Sequence, residues 1–149
     1  MRTALVDRAI DIGALAREVA GTSNGATVLF VGTVRDLNDG RPVTGMEYSA
    51  YKGMAEREMH DIAREASEQF GTPDVVIEHR LGALELGEAS VAIVVAHPHR
   101  GGAYEASRYV IEQLKRRVPI WKREHYVDGT REWVDPTRHA AHTAPEARS

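Results

Sequence analysis

One stretch limits the possible folds more than any other. Residues Ser90 to His97 read SVAIVVAH, apolar at consecutive positions rather than alternate ones. Successive side chains of a strand point to opposite faces, so such a run needs cover on both sides. The spacing therefore predicts a central strand, and the rest of the chain must supply the layers that enclose it. Lys52 to Phe70 supplies one. Ala55, Met59, Ile62, Ala63, Ala66 and Phe70 recur at helical spacing, and Glu58, Asp61, Arg64, Glu65 and Glu68 fall largely off that stripe. Gly71, Thr72 and Pro73 then stop the helix. A second helix is expected over Ala103 to Arg117, with Ala103, Ala106, Val110, Ile111 and Leu114 facing inward. A shorter one is expected over Ile12 to Ala20, behind Asp11 as N-cap.

Further strands are expected at Thr3 to Ile10, Ala26 to Val34, Val43 to Tyr51, Asp74 to Arg80, Ile120 to Tyr126 and Thr130 to Val134. Asp36 to Arg41 and Asp128-Gly129 carry hairpin chemistry, because Asn and Gly tolerate the positive φ of tight turns. Leu81 to Gly87 has two glycines at turn spacing. Strand pairs sharing hairpins argue for an α+β fold, a mixed or antiparallel sheet packed with helices and closed by a C-terminal β-hairpin. At 149 residues the chain suits a single domain, here residues 1–134. Residues 135–149, rich in Ala, His, Arg, Thr and Pro without period, are expected to be a flexible tail.

Charge narrows the function. Lys plus Arg is 19 and Asp plus Glu 22, so 19 − 22 leaves a net −3, which disfavours a general nucleic-acid binder. There is no cysteine, which removes disulfides, thiolate metal sites and any persulfide or thioester carried by this chain. No apolar run approaches the ~20 residues of a membrane span, and the N-terminus lacks a signal peptide's apolar stretch. A soluble cytoplasmic protein with no membrane partner is expected.

Against that acidic background, five cations crowd into nine residues: Lys115, Arg116, Arg117, Lys122 and Arg123. Pro119 ends the helix carrying Lys115, and the chain continues extended through Ile120 and Trp121. The two lysines thus flank one helix-to-strand corner. Basic residues are also common in a last helical turn, which is the bland reading of Arg116 and Arg117. Two more polar clusters punctuate strand ends, at Arg35 and at His99-Arg100, the latter opening a helix whose N–H groups are free near Gly102. Together these groups suit a phosphate. A lysine among such cations has its pKa pushed down by like charge, and a bound phosphate pushes it back up. His97-Pro98-His99 invites a metal reading, with His79, His125 or Glu124 as third ligand, but Arg100 and the lysines repel a cation. No metal and no cofactor is therefore expected, and neither nucleotide-binding glycine loop nor nucleophile elbow is present.

Several stretches jointly resemble the large, catalytic subunit of molybdopterin synthase, the MoaE family. They are Phe30 to Asp36 (FVGTVRD), Glu47 to Ala55 (EYSAYKGMA), His79 to Gly82 (HRLG), His99-Arg100 with Ala103, Leu114-Lys115, Pro119 to Glu124 (PIWKRE), and Asp128-Gly129 before Trp133-Val134. The match spans roughly residues 3 to 134, with Tyr104 standing where the family usually has Phe.

This resemblance implies an α/β hammerhead-type fold that forms a homodimer. A small ubiquitin-like sulfur-carrier subunit would dock at each end, completing a heterotetramer. It further implies a sulfurtransferase of molybdenum cofactor biosynthesis, moving two sulfurs from the carrier's C-terminal Gly-Gly thiocarboxylate onto cyclic pyranopterin monophosphate. The product is the dithiolene of molybdopterin. Carried over by position, Lys115 and Lys122 are catalytic. Arg35, His99 and Arg100 line the pterin-phosphate pocket, with Thr33, Val34, Arg123 and Glu124 beside it. The rival reading is a non-catalytic α+β module that grips a phosphorylated ligand or a protein tail.

Overall fold

A computed structural model describes residues 1–134; the expected tail from residue 135 onward lies outside the described residues. The elements run β1 (Arg2–Val6), α1 (Ile12–Glu18), β2 (Ala26–Thr33), β3 (Leu37–Asn38), β4 (Arg41–Ala50), α2 (Lys52–Phe70), β5 (Val75–Arg80), β6 (Gly82–Glu85), β7 (Ala89–His97), α3 (Arg100–Arg117), β8 (Ile120–Tyr126) and β9 (Arg131–Val134). The first sheet has the order β1-β5-β7-β2, with only the β1–β5 pair parallel. In the second sheet β4 lies between β6 and β8, β9 continues beyond β8, and β3 forms a hairpin with β4. The α+β expectation holds.

The apolar run behaves as its pattern requires. Val91, Ile93 and Val95 of β7 face α2 and α3, packing with Met59, Ile62 and Val110 among others. Ala92, Val94 and Ala96 face the other way, onto Leu15 and Val19 around α1. Each fully buried aliphatic side chain of this kind contributes about 1.5–3 kcal/mol. Truncating Ile93 to Ala would also leave a cavity and cost about 2–5 kcal/mol. On the helix side, Arg117 ties α3 to α2, meeting Glu65 at 2.6 Å and Glu58 at 3.3 Å. It is therefore an inter-helix anchor rather than a solvated helix end.

Local chemistry explains most boundaries. Asp11 Oδ1 accepts from Ala14 N at 3.0 Å and starts α1, as expected of an N-cap. Gly71, at φ 69°, closes α2 in the left-handed conformation that costs glycine least. Three segments differ from expectation. The first strand, expected over Thr3 to Ile10, covers Arg2–Val6, which is the stretch that pairs with β5. Leu81 to Gly87 contains a strand, β6, because β4 has a second edge to pair and Leu84 a core to enter; the positive-φ glycines 82 and 87 mark its ends. Helix α3 begins at Arg100, three residues before the expected Ala103, and takes Gly101 and Gly102 into its first turn. Gly102 has a packing reason, since a Cβ there would lie 2.3 Å from His97 Nε2. Among the described residues, no helix is long and apolar enough to cross a membrane.

Candidate active site

The corner after α3 is built by local bonds. Val118 N donates to Leu114 O at 3.1 Å, ending the helix, and Pro119 has no N–H to continue it. Ile120 N then donates to Val118 O at 2.8 Å, a three-residue turn that launches β8. Along β8, Ile120, Lys122, Glu124 and Tyr126 are buried, while Trp121, Arg123 and His125 alternate on the more exposed face. Pleating thus drives Lys122, only 9% exposed, into the interior.

Lys122 forms part of a pocket with Thr33, Val34, Arg35, Asn38 and Tyr48. Arg35 reaches it from the loop after β2, whose exit is held where Val34 N donates to Glu88 O at 3.1 Å. Lys115, half-buried in the last turn of α3, completes the group. Its amine is pushed down to about 8, first by burial and then by the positive charges of Lys122 and Arg35. At pH 7 a lysine of pKa near 8 is about one-tenth neutral, against about three parts in ten thousand at the ordinary value. Roughly 300-fold more of the amine is in its neutral form, the one competent for proton transfer or attack on a carbon centre. The surrounding cations also suit a phosphate or a carboxyl terminus.

Glu124 lies on the same face of β8 as Lys122 but is fully buried and sits outside the pocket lining. Its Oε2 accepts from Asn38 Nδ2 at 2.5 Å, and its Oε1 has no hydrogen-bond partner. Burial raises the Tyr126 phenol, and the Glu124 charge raises it further. Burial likewise raises Tyr48, whose hydroxyl also bonds Ser90. Asn38, Tyr48 and Tyr126 escaped the sequence reading. Asn38 looked like turn chemistry alone, and the tyrosines looked like ordinary strand positions.

Three expected site residues stand elsewhere. Arg123 is on the opposite face of β8 from Lys122, bonded to Glu47 at 2.8 Å and stacked 4.9 Å above the Trp133 ring. Glu47 is its direct cross-strand neighbour and also meets His125 at 3.1 Å. His99 and Arg100 are exposed at the far end of α3 from Lys115. Fifteen helical steps at 1.5 Å separate Arg100 from Lys115, about 22 Å. One copy of the chain therefore brings together Arg35, Lys115 and Lys122, and leaves His99 and Arg100 apart. His97 has both ring nitrogens engaged, Nε2 with Phe70 O at 2.7 Å and Nδ1 with His99 N at 2.9 Å. It serves as a satisfied histidine at the core's edge. Among the described residues, no group of three or more His, Asp or Glu has metal-holding geometry.

The family described as MoaE protein matches residues 5–117, most of the chain and a stretch that includes Arg35, His99, Arg100 and Lys115. The chain belongs to the MoaE family. A relative from Emericella nidulans, named molybdopterin synthase catalytic subunit, is 45% identical over 117 residues; these are 78% of this chain and 60% of that one. The chain therefore spans less than two thirds of that fungal relative's length. Among solved structures, molybdopterin synthase from Staphylococcus aureus matches with a TM-score of 0.80 at 36% identity, covering 87% of this chain and 94% of that one. A protein–protein complex of subunits 1 and 2 of the molybdopterin-converting factor from Helicobacter pylori matches at 0.71 and 25% identity, with 89% of each chain covered. MoaE membership thus covers fold and sequence alike.

Proposed function

We propose that this MoaE-family chain is the catalytic subunit of a molybdopterin synthase, a sulfurtransferase of molybdenum cofactor biosynthesis. It moves two sulfurs from the C-terminal Gly-Gly thiocarboxylate of a small ubiquitin-like carrier to cyclic pyranopterin monophosphate, making the dithiolene of molybdopterin. The observation that carries this reading is the convergence of Arg35, Lys115 and Lys122, with the Lys115 amine at about 8. A chain without cysteine has no thiol of its own to carry sulfur, which agrees with delivery by a partner. The Helicobacter complex of two converting-factor subunits supports a small-subunit partner.

In this reading Arg35 and Lys122 hold the anionic groups, and Thr33 and Val34 form the adjacent wall. Lys115 works through its neutral fraction, by proton transfer or by a transient covalent bond to substrate. Glu124 supports the pocket from beneath, and Arg123 braces β8 against β4 through Glu47. His99 and Arg100, about 22 Å away along α3, serve the phosphate from a second copy. The working unit is then a homodimer with a carrier at each end.

The test is reconstitution. Purified chain supplied with thiocarboxylated carrier and the pterin precursor should yield the dithiolene product, and Lys115→Ala or Lys122→Ala should abolish it without lowering the melting temperature. Tight binding without product would favour the binding-module reading instead. The two-copy arrangement has its own assay: at substrate well below the raised KM of Arg100→Ala, where that variant turns over little, mixing it with inactive Lys115→Ala should restore about a quarter of wild-type turnover, because half the dimers are mixed and each mixed dimer has one intact site.

A further inference from the structure

Arg35 belongs to no helix or strand, yet its guanidinium lines the pocket and bears on Lys115. Its two chain neighbours hold it. Asp36 O accepts from Val43 N at 2.8 Å, which ties that side to β4. Val34 is gripped twice: its N donates to Glu88 O at 3.1 Å, and its O accepts from Gly87 N at 2.8 Å. Both bonds come from the turn between β6 and β7. They lie just past Gly32 and Thr33, where the β2–β7 register shifts. A bulge re-aims the chain that leaves it. The direction in which Arg35 departs is therefore set by the turn from Glu85 to Glu88.

That turn is itself fastened from the far side of β7. Glu88 Oε1 accepts from Glu85 N at 2.8 Å and closes the turn, while Oε2 accepts from Arg80 Nη1 at 2.9 Å. Arg80 is the last residue of β5, one beyond the final β5–β7 pair of His79 with Val91. Its side chain is only 16% exposed, and its Nε is buried without a hydrogen-bond partner. Burying a guanidinium with a donor unpaired is unfavourable, so the pair needs a role beyond decorating the surface. The Glu85 amide first, and Arg80 second, hold the Glu88 carboxyl below the usual carboxylate range, which keeps it ionised at neutral pH.

We infer that Arg80 and Glu88 are positioning residues for the anion site, a latch across three neighbouring strands that fixes where Arg35 presents its guanidinium. It runs from the end of β5, through the start of β7, to the end of β2. The inference rests on the pocket chemistry proposed above and names what aims the cation mounted on its loop. Arg80 and Glu88 lie outside the pocket lining and act through the backbone of Val34. The charges that bear on Lys115 are those of Lys122 and Arg35, not of Arg80. A partly exposed ion pair adds little to overall stability, so losing this one should show in the aim of Arg35 more than in the fold.

Glu88→Ala separates aim from charge. Removing a negative charge would by itself lower the Lys115 titration. Loosening Arg35 has the opposite sign, because a guanidinium that wanders off repels the ammonium less. The pH dependence of Lys115 acylation, followed by peptide mass spectrometry on the full chain, should therefore move upward in Glu88→Ala, as it does in Arg35→Ala. On an Arg35→Ala background, Glu88→Ala should move it no further upward, since residues that act through one another are not additive. Glu88→Gln, which keeps an oxygen for the Glu85 amide, should give a smaller upward shift. Arg80→Met should reproduce the full one, and Arg80→Lys, which returns a cation to face Glu88, should reverse most of it. KM for the phosphate substrate should rise about 10-fold in Glu88→Ala, the equivalent of one weakened charge-assisted contact. A Lys115 titration that stays or falls in Glu88→Ala and Glu88→Gln, with unchanged circular dichroism, overturns the latch and leaves the proposed function standing. A wild-type chain that makes no dithiolene, while the upward shift and its loss on the Arg35→Ala background persist, overturns that function and keeps the latch.

Discussion

The two ends of the β7–α3 unit carry similar side chains in different surroundings. At one end Lys115 and Lys122 lie partly or fully buried beside Arg35, and a lysine amine falls to about 8. At the other, His99 and Arg100 stand exposed, and His97 spends both ring nitrogens on backbone groups. Concentrated positive charge alone does not make a reactive site. Burial does, because a desolvated ammonium gives up its proton near neutral pH whereas a solvated guanidinium simply waits for an anion. In the proposed function the buried end carries the chemistry and the exposed end the recognition.

The largest effect should come from the buried end. Replacing Lys115 by Ala should lower single-turnover product formation by about 10²–10⁴-fold, the usual worth of a positioned proton-transfer group, and Lys122→Ala should cost a comparable amount by removing a buried charge that holds the anionic groups. The exposed neighbour Arg116→Ala should leave it unchanged, and equal losses at all three would erase the distinction drawn above. Next come the arginines. Arg35→Ala and Arg100→Ala should each raise KM for the phosphate substrate about 10- to 100-fold, as expected for losing a charge-assisted contact. Arg35→Ala should also move the Lys115 titration above 8, since a repelling charge is gone; the pH dependence of lysine acylation reads this directly.

A smaller effect probes how the exposed end is held. Gly102→Ala forces a Cβ within 2.3–2.6 Å of three His97 ring atoms and should cost about 1–3 kcal/mol in denaturant unfolding. The smallest is a slope. Lys115 binds its proton less tightly in the folded chain, at about 8, than in the unfolded chain, near 10.5. Between those values the unfolded state holds more protons, so stability should rise with pH across that window. Below pH 8 the cost of burying the charge is present in full. Lys115→Met should flatten the rise, as followed by melting temperature against pH.

Much of this was legible in the residues, and the gaps have physical causes. The run from Ser90 to His97 announced a strand enclosed on both faces, and Pro119 announced the corner that sets Lys115 near Lys122. Leu81 to Gly87 read as turn because its glycines do sit at turns, but they bracket a strand that only the free edge of β4 calls into being. Arg123 was grouped with Lys122 although adjacent strand residues face opposite ways, a separation that the β period itself states. The distance from His99 and Arg100 to Lys115 was likewise written in the length of the helix between them. Nothing local revealed that Asn38 would cross to Glu124, eighty-six positions away, because that contact depends on β4 pairing with both β3 and β8.

The bend at Pro119 also bears on inheritance. Lys115 and Lys122 are joined by a few residues whose course is set by neighbouring hydrogen bonds, so the two amines travel as one rigid cassette. Lys115 rides α3 and Lys122 rides β8, so the short turn between them limits how far any drift of helix against sheet can change their spacing, while Arg35, mounted on a separate loop, has no such tether. Such a scaffold can accommodate a differently shaped anion by adjusting one movable wall, without disturbing its reactive pair.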